Sequence, residues 1–188
     1  MNLRGLLGAA AGAVLPSLSR LLPAPRVIYD REGGSPYLSR WYLVGERPEG
    51  EHFNPSEEKP PRDFNLFLHK FHRSDDDGLL HSHPWEWAVS FVLVAGYSEE
   101  RRVGDEVIRR DVLPFSLNIL RAVDYHRVDL YEGREAWSLF FVGPRVGTWF
   151  FWDRDKKVSA QWREYIDEKR EGKPAKWVKD VRVPTVSG

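Results

Sequence analysis

His81 and His83 stand two residues apart, and in an extended strand that spacing turns both imidazoles to one face. Two neighbouring imidazoles on one face are placed as cis ligands for a single divalent ion. A third ligand has to arrive from another strand. His126 follows the turn-like stretch Ala122 to Asp124 and opens a strand-like run, which makes it the candidate. Imidazole suits iron, zinc, nickel and copper, and manganese less well. Three protein ligands leave coordination positions open, and open positions are what make a bound metal catalytic.

The remaining histidines read differently. His69 reads as a core residue or as one that orients a metal ligand by hydrogen bond. His72 is three positions further on, so in a strand it faces the other side. His52 lies in a polar loop and reads as solvated. The run Asp75-Asp76-Asp77 offers oxygen ligands to a hard cation, but three carboxylates in a turn ordinarily face water. Arg121, which precedes the turn before His126, is a candidate anchor for an anionic substrate. Tyr97 and Tyr125 join it as candidate catalytic residues. Trp85, Trp87 and Phe91 complete the expected apolar walls.

These residues need a scaffold of short strands, and the sequence supplies one. Val27 to Tyr29, Tyr37 to Val44, Phe64 to His72 and a long run from Trp85 to Arg102 read as strands. Glu106 to Arg109, Phe115 to Arg121, His126 to Tyr131 and Ala136 to Val142 continue the series. Gly104-Asp105 and Glu132-Gly133 punctuate it. Many strands with turns between them, and no βαβ rhythm, point to an antiparallel sandwich or barrel. The stretch from Gly45 to Arg62, rich in Glu, Pro and Gly, is a candidate lid over a barrel mouth.

The two ends have another texture. In residues 1–25, Leu3, Leu6, Leu7, Ala10, Val14, Leu18, Leu21 and Leu22 recur at helical spacing. This predicts an amphipathic helix, interrupted or kinked at Pro16, whose stripe docks on the barrel, a second subunit or a membrane surface. The competing reading is a secretory signal. The run is too short and interrupted for a transmembrane segment. Residues 26–152 form the expected barrel. Residues 153–188 hold an expected helix from Ser159 to Arg170 and an arm through Trp177, Val178, Val181 and Val183.

Composition narrows the function classes. Lys plus Arg number 28 and so do Asp plus Glu; zero net charge argues against bulk nucleic-acid binding. The absence of cysteine removes disulfides, thiolate nucleophiles and Cys-ligated metals, and is compatible with a cytoplasmic home. Any metal must be held by histidines and carboxylates.

Gly78, His81-Ser82-His83 and Gly96 resemble the first motif of the cupin superfamily, and Asp124-Tyr125-His126 resembles the histidine end of the second. The resemblance spans roughly Phe64 to Gly143. The string from Leu68 to Asp77, with His81 to Trp85, also resembles a group of bacterial and phage cupin-like proteins with no agreed activity. The family's metal-binding Glu would fall near Ala88 or Val89, and neither can ligate. Glu86 is offset toward the histidines and is a minor candidate as extra ligand. The Pro-x-Gly of the second motif is missing.

The resemblance implies an all-β fold, an antiparallel cupin-type β-barrel (jelly roll), here with short N- and C-terminal helices. It implies one divalent ion, Fe(II) foremost, with Zn, Ni or Mn as alternatives. It also implies a small-molecule substrate and pairing of barrels into a homodimer. A three-His site is similar to that of the thiol dioxygenases, so non-haem iron dioxygenation of an anionic substrate is the leading expected chemistry. A Zn- or Mn-dependent isomerase or hydrolase, and a non-catalytic binding module, are the alternatives.

Overall fold

The computed structural model describes residues 3–30, 34–45, 64–75 and 78–179. The expected lid falls almost wholly outside these residues, as do His52, Asp76, Asp77, Val181 and Val183. In chain order the elements are helix α1 (Leu3–Leu18), β1 (Arg26–Tyr29), β2 (Pro36–Val44), β3 (Asn65–Phe71), β4 (Leu80–His81), β5 (Trp87–Val94), β6 (Tyr97–Val103) and β7 (Glu106–Val112). Then come β8 (Leu117–Arg121), β9 (His126–Leu130), β10 (Ala136–Val142), β11 (Phe150–Asp153), β12 (Val158–Gln161), helix α2 (Trp162–Glu171) and β13 (Val178–Lys179).

Two antiparallel sheets result. One runs β1-β2-β3-β10-β5-β8 and the other β13-β12-β11-β4-β9-β6-β7. Within them β3 pairs with β10, β4 with β9, β5 with β8 and β6 with β7. Those four pairs are one long hairpin, bent at Gly104-Asp105 and rolled up so that its arms alternate between the sheets. This is the jelly roll. It has a direct consequence for chemistry, because residues far apart in sequence on opposite arms become cross-strand neighbours. His81 and His126 are such a pair.

The long run read from Trp85 to Arg102 is two strands in different sheets. The break is at Ala95 and Gly96, where both residues have positive φ, 63° and 78°. A Cβ on Gly96 would sit 2.5 Å from the carbonyl oxygen of Val112, so only glycine fits this corner. The strands β4, β11 and β12 escaped the sequence reading. β4 has only two residues, too few for a period, and residues 158–161, expected to lie largely in the C-terminal helix, pair as β12 instead.

Between the sheets two apolar clusters fill the barrel. One contains Phe67, Ala88, Leu120, Phe140 and Val142, the other Val92, Tyr97, Val112, Val128 and Ala136. Each fully buried large apolar side chain is worth about 1.5–3 kcal/mol. A third cluster, Trp41, Leu68 and Trp137 with Leu15 and Leu22, covers the outside of the six-stranded sheet. The two indoles stack there at 5.5 Å.

Helix α1 lies over that outer face, and of the predicted stripe only Leu22, just beyond the helix, packs there. Leu3, Leu6, Leu7, Val14 and Leu18 are exposed. The docked side is small: a Cβ on Gly8 would meet Pro114 at 3.1 Å, and one on Gly12 would meet Val94 at 3.2 Å. Close approach of the helix backbone selects glycine, and this overrides leucine periodicity. The helix also runs through Pro16 instead of stopping there. Among the described residues, no helix is long and apolar enough to cross a membrane.

Candidate metal centre

Ser82 fixes the His81–His83 segment from behind. Its N–H donates to the Phe150 carbonyl at 2.9 Å, and its hydroxyl accepts the Phe150 N–H at 3.0 Å. Ser82 is buried against β11 of the seven-stranded sheet, and in extended backbone its two neighbours turn to the opposite side, where their rings meet. Pro84 follows and has no N–H to donate; its carbonyl accepts the N–H of Val146 instead, which closes the segment. His126 then arrives across the β4–β9 ladder.

The result is a three-histidine group. One nitrogen from each of His81, His83 and His126 lies within 4.8 Å of the other two. Ring centroids are 5.2 Å apart for His81–His83, 4.7 Å for His81–His126 and 5.0 Å for His83–His126. Nε2 of His83 and Nε2 of His126 are 2.8 Å apart. Two imidazole lone pairs repel at that spacing unless a proton or a cation stands between them. The donor set fits a divalent ion: three imidazoles, none held as a charged partner of an exposed acid, converging from one face.

Carboxylates behind the rings set their orientation. Glu99 Oε1 accepts from His126 Nδ1 at 2.9 Å, which leaves Nε2 with its lone pair facing the other rings. Asp75 Oδ2 lies 3.6 Å from His81 Nδ1 and accepts the Val128 N–H at 2.6 Å. Glu99 is itself held by Arg101, Arg110 and Asn118, at 3.0, 2.7 and 2.8 Å. Burial pushes its carboxyl up, but the hydrogen bonds from His126 and Asn118 and the charge of Arg101 outweigh this and hold it well below the usual carboxylate range. Burial, then the neighbouring His126 and His81, lowers the proton affinity of His83 well below the ordinary imidazole value, so its ring is neutral and ready to ligate.

The other expected site residues separate into near and far. His69 is buried inside the barrel, its Nε2 accepting from Arg40 Nε at 2.9 Å; its ring stacks on Phe140 at 4.9 Å and stands outside the converging group. Tyr97 points inward, and its hydroxyl accepts from Asn118 at 3.2 Å. Trp85 stacks on His83 at 5.8 Å and so lines the site.

Glu86 is exposed and stands outside the converging histidine group. Arg121 alternates with the buried Leu120 on edge strand β8 and faces outward, so it anchors nothing in the barrel. Tyr125 belongs to the outer face of its sheet, packed with Leu80 and Trp152. Trp87 and Phe91 also share the outward parity of β5.

Sequence reasoning missed Glu99, Asp75 and Arg40. Asp75 was read as solvated with its run, yet is buried against β9. Glu99 sits in Ser-Glu-Glu-Arg-Arg, where charge on both faces of the strand hid the inward parity of Tyr97, Glu99 and Arg101. The parity could have been found by counting from the Gly96 corner.

No family model and no curated protein matches the chain. Among solved structures it is similar to the DMSP lyase DddQ from Ruegeria pomeroyi, at 14% identity and a TM-score of 0.49, over 72% of this chain and 62% of that one. A predicted oxalate decarboxylase from Thermotoga maritima is similar at 12% identity and a TM-score of 0.43, over 64% of this chain and 92% of that one. An Fe(II)-HppE structure is similar at 12% identity and a TM-score of 0.43, over 73% of each chain. The chain thus spans under two thirds of the lyase's length. Its own strand order and histidine group carry the conclusion: the chain has the double-stranded β-helix, or jelly-roll, fold seen in cupins, with three histidines placed where they could hold one metal ion.

Proposed function

We propose that this chain is a metal-dependent enzyme acting on a small molecule, with non-haem iron dioxygenation as its leading chemistry. One observation carries the reading: three imidazoles converge within 4.8 Å inside a barrel, and His126 is oriented from behind by Glu99. A divalent ion there would supply Lewis acidity and open coordination positions for substrate and dioxygen. His81, His83 and His126 would hold it. Glu99 keeps the Nδ1 proton on His126 and so keeps Nε2 free to ligate. The rings of Trp85 and Phe140 lie beside His83, and that of Phe151 beside His81. Three uncharged ligands leave the ion's full double charge, which favours an anionic substrate.

The test is metal analysis of protein from its own host, followed by oxygen uptake. Iron with substrate-dependent oxygen consumption supports the dioxygenase. Zinc or manganese without it moves the reading to an isomerase or hydrolase. Protein that binds no metal overturns both and leaves a binding module.

We also propose a homodimer. Edge strand β8 exposes Leu117 and Ile119 on one face, and α1 exposes several leucines of its own. Open apolar edges invite pairing.

A further inference from the structure

Helix α1 turns its large apolar side chains away from the protein. At about 100° per residue, Leu3, Leu6, Leu7, Val14 and Leu18 share an arc of about 120° on its surface. Each is between 42% and 70% exposed. Leu21, in the helical turn Ser19–Leu21 that extends the helix, is 82% exposed. Gly8, Gly12 and Leu15 lie on the opposite side, where they meet Pro114, Val94 and the Trp41–Trp137 cluster. The glycine contacts are close enough to fix which side looks outward. Single exposed leucines are ordinary, but a continuous stripe of them marks an interaction surface.

The charges beside the stripe have one sign. By the same spacing Arg4 stands at one border of the arc and Arg20 at the other, and both are exposed. Residues 3–29 contain no Asp or Glu. Asp30, the first acid beyond them, is buried and accepts from Arg73 at 2.8 Å. Among the described residues, no carboxylate pairs with Arg4 or Arg20.

This pattern selects the occupant. A second copy packed stripe to stripe would set arginines against arginines, with no acid on either helix to separate them. Insertion across a bilayer is excluded by length, since 16 residues reach only about 24 Å against a core of about 30 Å. The headgroup layer of an anionic bilayer accepts both features. Leucines enter the acyl boundary, while arginine stems run along it and leave their guanidinium groups among the phosphates.

We propose that α1 lays this protein on an anionic membrane surface through Leu3, Leu6, Leu7, Val14 and Leu18, with Arg4 and Arg20 on the lipid phosphates. The glycine side stays on the six-stranded sheet, which takes the place of the polar face a free interfacial helix would need. The sheet that carries His81 and His126 is then on the side away from the bilayer. Pairing through β8 uses a different element.

Flotation of the full chain tests this, with vesicles of phosphatidylcholine alone and with about one-third phosphatidylglycerol added. Binding to the anionic vesicles should exceed binding to the neutral ones at least about tenfold and weaken as salt is raised. Leu7→Asp with Leu18→Asp should reduce it at least about tenfold while leaving the thermal melt unchanged. Arg4→Gln with Arg20→Gln should reduce it about 20-fold on anionic vesicles only. No binding, equal binding to both lipids, or binding that survives the leucine pair overturns the proposal. If the leucine pair does not fold, the arginine pair decides, and anionic selectivity surviving in it overturns the proposal. The chain has no cysteine, so Leu7→Cys takes a single environment-sensitive fluorophore. A blue shift on anionic vesicles there, with none at Glu106→Cys on β7, supports the orientation; no shift at 7, or equal shifts at both, overturns it. Light scattering without lipid covers the remaining occupant. If Leu7→Asp with Leu18→Asp turns a dimer into a monomer, the stripe is an interface between copies and the membrane proposal falls.

Discussion

Glu99 on β6 accepts the Nδ1 proton of His126 on β9 at 2.9 Å, and neither side chain reaches water, Glu99 being fully buried and His126 4% exposed. The carboxylate is the hub of a network in which Arg101, Arg110 and Asn118 also donate to it. It joins the histidine group to the charged floor of the barrel. Glu99→Gln keeps the shape but removes the charge. Metal affinity, measured by chelator competition, should fall about 10–100-fold. Two guanidinium groups lose their buried counter-charge, so chemical denaturation should show about 3–5 kcal/mol lost. Unchanged affinity in a folded Glu99→Gln variant would remove Glu99 from the site.

The ligands themselves give a sharper outcome. His81→Ala or His83→Ala should reduce bound metal from near one equivalent to almost none by elemental analysis. His126→Ala should abolish turnover even where some metal stays on the other two rings. Full occupancy in both of the first two variants is the result that counts against the three-histidine centre.

The sheet-switching corner makes a prediction about stability. Gly96→Ala puts a Cβ 2.5 Å from the Val112 carbonyl oxygen at a φ of 78°. Backbone strain alone costs about 1–3 kcal/mol, and the contact adds to it. A clear drop in Tm is expected in a thermal melt. An unchanged melt would mean the corner can relax without cost.

What the sequence made legible followed from period. Alternation exposed the long strands, and the two-residue spacing of His81 and His83 put them on one face. His126 was legible because a turn precedes it, although its pairing with His81 is a property of the rolled hairpin. Parity failed where charge stood on both faces, as at Glu99 and Glu100, and where a strand was two residues long, as at β4. Arg121 was misjudged because its nearness in sequence to His126 says nothing about parity on β8. Arg40 was overlooked because a single arginine between Ser39 and Trp41 looks like any exposed strand position, and only its register with His69 on β3 shows that it faces that ring.

Edge strand β8 bears on assembly. Leu117→Glu with Ile119→Glu places two charges on its outer face, where nothing in the barrel interior is touched. Light scattering at micromolar concentration should shift from dimer to monomer, with metal content unchanged. A clean monomer before mutation would overturn the dimer.

Stability should depend on pH in two stages. Burial, with the charge of Arg40, holds His69 well below its ordinary value of 6.5, and burial with the neighbouring imidazoles does the same for His83. In the unfolded chain both take a proton near pH 6.5, while in the folded chain they do not. The unfolded state therefore binds more protons below that pH, and stability rises with pH there. The contribution is complete above pH 6.5 and is lost as pH falls below it, by up to about 1.4 kcal/mol per pH unit for each ring. Glu99 acts lower down. Its folded value is depressed from 4.5, so its contribution is complete above that pH and is lost on further acidification. Melts of the metal-free chain should give a Tm flat between pH 8 and 7, a decline below 6.5 and a steeper one below 4.5. His69→Gln should remove about half of the first slope and leave the second. A Tm that stays level from pH 7 to 5 would show that neither ring is held neutral by the fold, and that the Arg40–His69 contact is made by a different tautomeric arrangement.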